Sequence, residues 1–501
     1  MTPRGPVPRR RHPRPTRRGA PTATPFGIAT LCAATVGLIG VAGPNLAAAL
    51  LSAAVLVLGI ILLWRPGEPP VLLFLFALPW LQASVSIFHA TWLGKDLALY
   101  APIGGETHTA VTLSLLGVAT MAIGMRWGAG RLCSGPARIA DGLARVQPLP
   151  RWLWLYVTVS IVGLAARAAT EAAPGFHQVA LAVANLKWAF FFMLAYSAFV
   201  RHEAASPLQI LPFLFELGRG LGSFFSDFKT VFLITLLAVG TAGVRFSVRT
   251  LIALLVPSAA LIALLVVWTA IKGDYRAFVS GDGRAQVVKV DYVTGIEKLF
   301  SLALDLDREA LGDGLDRLVR RLSYVEFFGV TIDYVPRVVP HQGGAVLADA
   351  IARPFMPRLL FPEKSVINDT IRTNEFTGGL AGDSAATSIS LGYVAECYID
   401  FGEGWMFAAL LAIGLLYGRI HRSLMTSSCL MGPLGMGLSA AVLLTVGSLE
   451  NSFTKVFGGV VVALLAGWLF RLLLVPWVCP WLCPADRRLS RTPARISRRQ
   501  S

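Results

Sequence analysis

The sequence predicts an all-α polytopic membrane protein with about 12 transmembrane helices and one large extracytoplasmic loop. Three observations carry that expectation. Hydrophobic residues fill 55% of the 501 positions and charged residues only 15%, and the mean hydropathy is +0.62, so most side chains must find lipid rather than a globular core. The apolar residues fall in runs close to the roughly 20 that cross a hydrocarbon layer. The net charge of +16 is concentrated at the two ends of the chain, which are flanks that the positive-inside rule keeps in the cytoplasm. A soluble enzyme is excluded, and the basic balance needs no nucleic-acid partner.

Taken in order, residues 1–25 form a basic cytoplasmic tail holding Arg4, Arg9, Arg10, Arg11, Arg14, Arg17 and Arg18. A signal peptide is the rival reading of the N-terminus, since an apolar run from Phe26 to Val41 succeeds the basic stretch. A retained helix is preferred, because a second run, Leu46 to Trp64, comes after only Gly43-Pro44-Asn45 and reads as a helical hairpin. Nine spans are expected within 26–271, at 26–43, 46–64, 70–88, 108–125, 152–168, 183–200, 207–222, 229–244 and 250–271. Three more lie within 403–476, at 404–418, 433–449 and 457–476, before a basic tail at 477–501.

An even number of spans puts both termini on one side, and the Lys/Arg excess tests that placement. Arg65, then Arg126, Arg131, Arg138, Arg145 and Arg151, then Arg201, then Arg245 and Arg249, then Arg419 and Arg422 all fall on the expected inner connections. Residues 272–402 are thereby expected outside the cytoplasm. This segment carries 18 Asp plus Glu against 14 Lys plus Arg, most of the 29 acids in the chain. Residues 291–304 and 305–328 space their apolar residues as amphipathic helices do. Pro336, Pro340, Pro354, Pro357 and Pro362 then divide the rest into turns and short pieces.

Several residues could carry chemistry, each beside a structural alternative. Arg308, Arg317, Arg320 and Arg321 read first as the solvated face of a helix, paired with neighbouring acids. Arg276, just past the ninth span, lies at headgroup depth, where it either anchors the helix or holds a lipid phosphate. Arg358 and Lys364 share a proline-framed turn, and Arg372 precedes a glycine-rich stretch in which Asp383 could accept a proton. Glu396 stands near the start of the tenth span, where a carboxylate is either paired or functional. Lys229 begins the eighth span, as an anchor or as a ligand. His341 and His177 have no partner at motif spacing and read as structural. Cys479 and Cys483 lack a second pair or a histidine, so no metal site and no cofactor is expected. Nucleotide-binding Walker, HExxH and GxSxG sequences are absent. Energy for any reaction must therefore come from the substrate or from a gradient.

From about residue 180 onward the pattern resembles the bacterial O-antigen (oligosaccharide repeat-unit) polymerases of the Wzy type and related exopolysaccharide polymerases. The stretches that carry the likeness are Phe213 to Lys229, Trp268 to Arg276, Pro357 to Lys364 and Ser388 to Gly402. The resemblance implies transfer of a growing glycan from undecaprenyl pyrophosphate onto a new lipid-linked repeat unit, by a multi-pass enzyme of the bacterial inner membrane. It implies Arg276, Arg358, Lys229, Lys364 and Arg372 as ligands of the departing pyrophosphate, with Asp383 or Glu396 as base. The partners it implies are lipid-linked oligosaccharides, the bilayer, a flippase and a chain-length regulator. A glycan ligase using the same carrier, a lipid-oligosaccharide transporter and a structural scaffold are the rivals. The transporter is disfavoured because the span cores are clean apart from Glu216 and Arg219.

Overall fold

The computed structural model describes residues 36–37, 43–65, 68–130, 147–170, 177–221, 228–242, 248–281, 289–356, 361, 363, 368–382, 389–426, 432–443, 447 and 449–473. Among them there are helices and turns but no strands. The helices are α1 (Leu46–Leu63), α2 (Val71–Trp92), α3 (Thr107–Ala129), α4 (Leu149–Ala169), α5 (His177–Asn185), α6 (Lys187–Val200), α7 (Pro207–Leu221), α8 (Lys229–Thr241) and α9 (Val248–Ser280). The polar segment adds α10 (Tyr292–Leu304), α11 (Arg308–Leu322), α12 (Val325–Tyr334), α13 (Ala345–Ala352) and α14 (Asp369–Thr377). The chain then runs through α15 (Tyr393–Thr426), α16 (Gly432–Leu443) and α17 (Phe453–Leu473).

Among the described residues, six helical stretches are long and apolar enough to cross a membrane: α1, α2, α3, α4, the joined α5–α6 stretch Val179–Val200, and Tyr393–Met425 of α15. The first expected span, 26–43, lies almost wholly outside the described residues. α7 and α8, at 15 and 13 residues, are shorter than a full crossing.

Small residues decide how α3 and α15 pack. In α3 and α15 the spacings Gly124-xxx-Gly128 and Gly414-xxx-Gly418 face each other, so the two backbones touch. A methyl group at Gly414 would run into the carbonyl oxygen of Met121, and one at Gly418 into that of Met125. α6 is the buried helix of the bundle, with Phe190, Phe191 and Phe192 at most 1% exposed. A helix that is apolar all round belongs in the middle. α15 bends at Gly402, whose φ of 69° is outside the helical region.

The two ends of the bundle are tied by different contacts. At one end Arg65 donates to the Gly130 carbonyl at 2.6 Å and Arg126 to the same oxygen at 3.0 Å, and Arg422 lies against Gly130 as well. Arginines from the end of α1, from α3 and from α15 thus meet at one glycine. At the other end Asn45 donates to Thr91 Oγ1 at 3.1 Å and accepts from the Leu97 N–H at 2.7 Å. There the Glu106 N–H donates to the Gly329 carbonyl at 3.1 Å, which ties the polar segment to the start of α3.

The amphipathic helices of that segment form where the spacing predicts, with one difference. The stretch 305–328 is two helices, because the chain turns at Ser323 and Tyr324. Asp291 and Asp307 cap α10 and α11 by accepting from Thr294 and Ala310 N–H groups at 3.0 and 2.7 Å.

Candidate functional site

Two charged clusters stand at the end of the bundle that carries the polar segment. The first forms where α9 outruns its apolar sequence. That sequence ends at Ile271, but the helix continues to Ser280, so Lys272 and Arg276 lie four residues apart on one face. α11 packs against α9 through Gly314, where a Cβ would sit 3.0 Å from the Cβ of Ala270 and 3.0 Å from the carbonyl oxygen of Val266. Arg317 and Arg321 lie three and seven residues beyond Gly314, on the same helix face. The close approach at Gly314 sets this exposed face of α11 beside α9, near enough for the charges of both arginines to act on Lys272.

The electrostatics record the crowding. Burial, and then the positive charges of Arg321, Arg276 and Arg317, lower the pKa of Lys272 to about 8. Arg276 is lowered too, by burial and by Arg321. Among the described residues, every charge that acts on Lys272 is a cation. Arg317 also meets Asp313 at 3.4 Å, an exposed pair of little strength. Such a grouping is suited to an anion with several oxygens, since guanidinium groups donate in a fixed fork and an ammonium acts as a point charge.

The second cluster joins α13, α14, α15 and α17. Arg372 reaches Asp349 at 3.3 Å and Glu396 at 3.4 Å, and Asp349 also holds Arg353 at 2.8 Å. Glu396 is 1% exposed and accepts the N–H of Phe453, the first residue of α17. Buried Asp369 pairs with Lys455 at 2.5 Å and accepts from Ser452 Oγ at 3.1 Å. Two carboxylates thus face the first turn of α17, where the helix dipole favours negative charge. Glu396 is enclosed between a backbone donor and Arg372, a geometry that fixes the direction of the arginine.

The Tyr324 hydroxyl donates to the Ser390 carbonyl; burial, then Glu450, push its pKa up, with Asp369 adding to the rise and Arg321 opposing it.

Of the residues singled out in the sequence, Arg276 enters the first cluster, and Arg372 and Glu396 meet in the second. Lys229 is exposed at the start of α8, and the preceding Phe228 packs with Trp268, Ile271 and Tyr275, so it belongs to the same end as Arg276. Arg358, Lys364 and Asp383 lie outside the described residues. His341 Nδ1 is 3.3 Å from the Ile399 carbonyl, and its ring packs on Tyr398. Sequence reasoning missed Lys272, Arg317 and Arg321 as a group, and also Asp369 and Lys455. The Gly314-Arg317-Arg321 spacing was the available signal for the first group. Nothing local marks a pairing between positions 369 and 455. Among the described residues, no three His, Cys, Asp or Glu side chains gather so as to hold a metal ion.

The family model of a domain of unknown function, DUF8712, matches residues 148–441. The chain belongs to the DUF8712 family. The DUF8712 match begins at the edge of α4 and ends within α16. It takes in all of the first cluster and, of the second, everything but Ser452, Phe453 and Lys455. No curated protein and no solved structure matches this DUF8712 chain.

Proposed function

We propose that the chain is a membrane glycosyltransferase that joins undecaprenyl-pyrophosphate-linked oligosaccharide repeat units into surface polysaccharide on the outer face of the bacterial cytoplasmic membrane. In this reading twelve helices cross the bilayer, both termini are cytoplasmic and residues 272–402 are extracytoplasmic. The observation that carries the proposal is the cationic group of Lys272, Arg276, Arg317 and Arg321, set where the apolar run of α9 ends. A lipid pyrophosphate presents its charge at that depth. Stabilising it as it departs needs positive donors close by, and the charges of Arg276, Arg317 and Arg321 all act at Lys272. Arg372 is a further ligand, aimed by Glu396, while Arg358, Lys364 and Lys229 complete the basic set and Asp383 is the candidate base.

Deleting the gene and resolving the surface polysaccharide on gels tests this directly. Loss of polymerisation leaves single repeat units, and unchanged long chains reject the proposal.

One observation favours a second reading, transport of the lipid-linked oligosaccharide. Glu216 in α7 is 2% exposed and receives Lys187 Nζ at 2.6 Å, Arg219 at 2.9 Å and the Tyr156 hydroxyl at 2.5 Å. Ionic groups inside a bundle often line transport paths. Here the carboxylate is saturated by its three donors, which suits a clamp between α4, α6 and α7. Movement of labelled lipid-linked oligosaccharide across proteoliposomes containing the protein would support transport, and a static label supports the enzyme.

A further inference from the structure

A third polar assembly, separate from both clusters, closes the space between α2, the connection after it, and the α11–α12 turn. His89 Nδ1 lies 2.6 Å from the Tyr100 hydroxyl. That hydroxyl lies 3.5 Å from Glu326 Oε1, which also accepts from Ser323 Oγ at 2.6 Å. Ser86 Oγ in turn meets Ser323 Oγ. Glu326, Ser323, Ser86 and Tyr100 are buried, whereas His89 is half-buried. The assembly is thus a hydrogen-bonded line from a partly exposed imidazole to an enclosed carboxyl.

A buried carboxyl is ordinarily matched by a cation, because ionisation away from water is costly. Among the described residues no lysine or arginine comes within ion-pair distance of Glu326. The charge that acts on it is Arg320, exposed on α11, while Asp316, Arg320 and Lys95 surround His89 and Tyr100. α3, α14 and α15, which also pack on α12, add no charge that acts on Glu326, Asp369, Arg372 and Glu375 of α14 included. Its partners are instead hydroxyl groups, which can donate or accept. Burial accordingly pushes the pKa of Glu326 up to about 7. Holding two helices together needs no carboxyl here, as the Ser86–Ser323 contact already joins α2 to the turn.

The hydroxyl chain has two consistent polarities. In one, protonated Glu326 donates to the Tyr100 oxygen and Tyr100 donates to neutral His89 Nδ1. In the other, His89 Nδ1–H donates to Tyr100, which donates to the Glu326 carboxylate. Passing between them moves one proton from Glu326 to His89: the Glu326 O–H and Tyr100 O–H bonds break, and new Tyr100 O–H and His89 N–H bonds form. No oxidant, metal or cofactor is required.

We propose that Glu326, Tyr100 and His89 form a proton-exchange relay, in which Glu326 stores a proton and trades it with the aqueous phase through Tyr100 and His89. The relay goes beyond the polymerase reading and does not depend on it. Its ligand is the proton, and its exit lies at the end of the bundle that holds both charged clusters.

Infrared difference spectra of the full chain in lipid nanodiscs, recorded across pH 5–9, test the relay. The wild-type protein is expected to show a carboxylic C=O band that disappears near neutral pH, and Glu326→Gln is expected to lack it. After a rapid pH jump Tyr100→Phe should keep the band but slow its loss by at least about tenfold, a measurable rise in a barrier. His89→Gln should slow it likewise, which keeps the test intact if one variant fails to insert. A spectrum unchanged by Glu326→Gln, or wild-type exchange rates in both relay variants, overturns the proposal. So does a midpoint that moves with sodium concentration at constant ionic strength, which would assign the site to a metal cation.

Discussion

Replacing Glu326 with glutamine should remove the pH dependence that this residue imposes on stability. Burial raises its carboxyl from the ordinary value of 4.5 to about 7, so the folded protein keeps a proton that the unfolded chain releases. The contribution of the protonated carboxyl is therefore fully present below pH 4.5 and is lost as pH rises through about 7. Between those values the unfolded chain binds fewer protons than the folded one, and stability must fall. With the folded value at about 7 and the ordinary one at 4.5, at about 1.36 kcal/mol for each pH unit the full loss is on the order of 3 kcal/mol. Glutamine has nearly the same shape, can still accept from Ser323, and has nothing to ionise. Thermal unfolding of wild type and Glu326→Gln in matched detergent, from pH 5 to pH 8, measures the difference. The variant should gain on the wild type steadily and be the more stable protein at pH 8. Parallel curves, or a wild type that gains on the variant as pH rises, would refute the reasoning.

Three further outcomes are expected. Gly414→Ala should destabilise the chain by about 1–3 kcal/mol through the collision with Met121, seen as a lower melting temperature, whereas Gly458→Ala, with open space around it, should melt as wild type does. Arg372→Ala strips a partner from buried Glu396 and should cost about 1–3 kcal/mol; Glu396→Gln in the same protein should recover part of the loss, since position 396 then holds no charge to leave unpaired. Inorganic pyrophosphate, titrated calorimetrically onto the protein in nanodiscs, should bind more weakly as pH rises through about 8, the pKa of Lys272, because the anion favours the protonated amine. Lys272→Ala should abolish that pH dependence, and an unchanged profile would remove Lys272 from the site.

The helices were legible because apolar run length and the 3.6-residue period are local properties. Arg65, Arg126 and Arg422, which the sequence groups on one side, lie against a single glycine. Boundaries failed where a helix outlived its apolar stretch, as α9 does beyond Ile271, and where a polar turn interrupts an amphipathic period, as at Ser323. In the site, Arg276 was visible from its place at the edge of an apolar run. Arg317 and Arg321 are exposed, as the reading of a solvated helical face expects, and only the packing at Gly314 sets that face beside α9. Asp369 with Lys455, and Glu326 with Tyr100, are joined only by the tertiary fold. Residue type alone cannot distinguish such pairs from surface charges.

The central claim is that the cations at the end of α9 bind the pyrophosphate of a lipid-linked glycan while repeat units are joined. The most direct measurement supplies undecaprenyl-pyrophosphate-linked repeat units to the purified full chain in nanodiscs and resolves the products on a gel. A ladder of lengthening glycan is expected from the wild type, and single units from Arg276→Ala and Arg321→Ala variants that still fold. A ladder of equal intensity from those variants, or none from the wild type, would contradict the account.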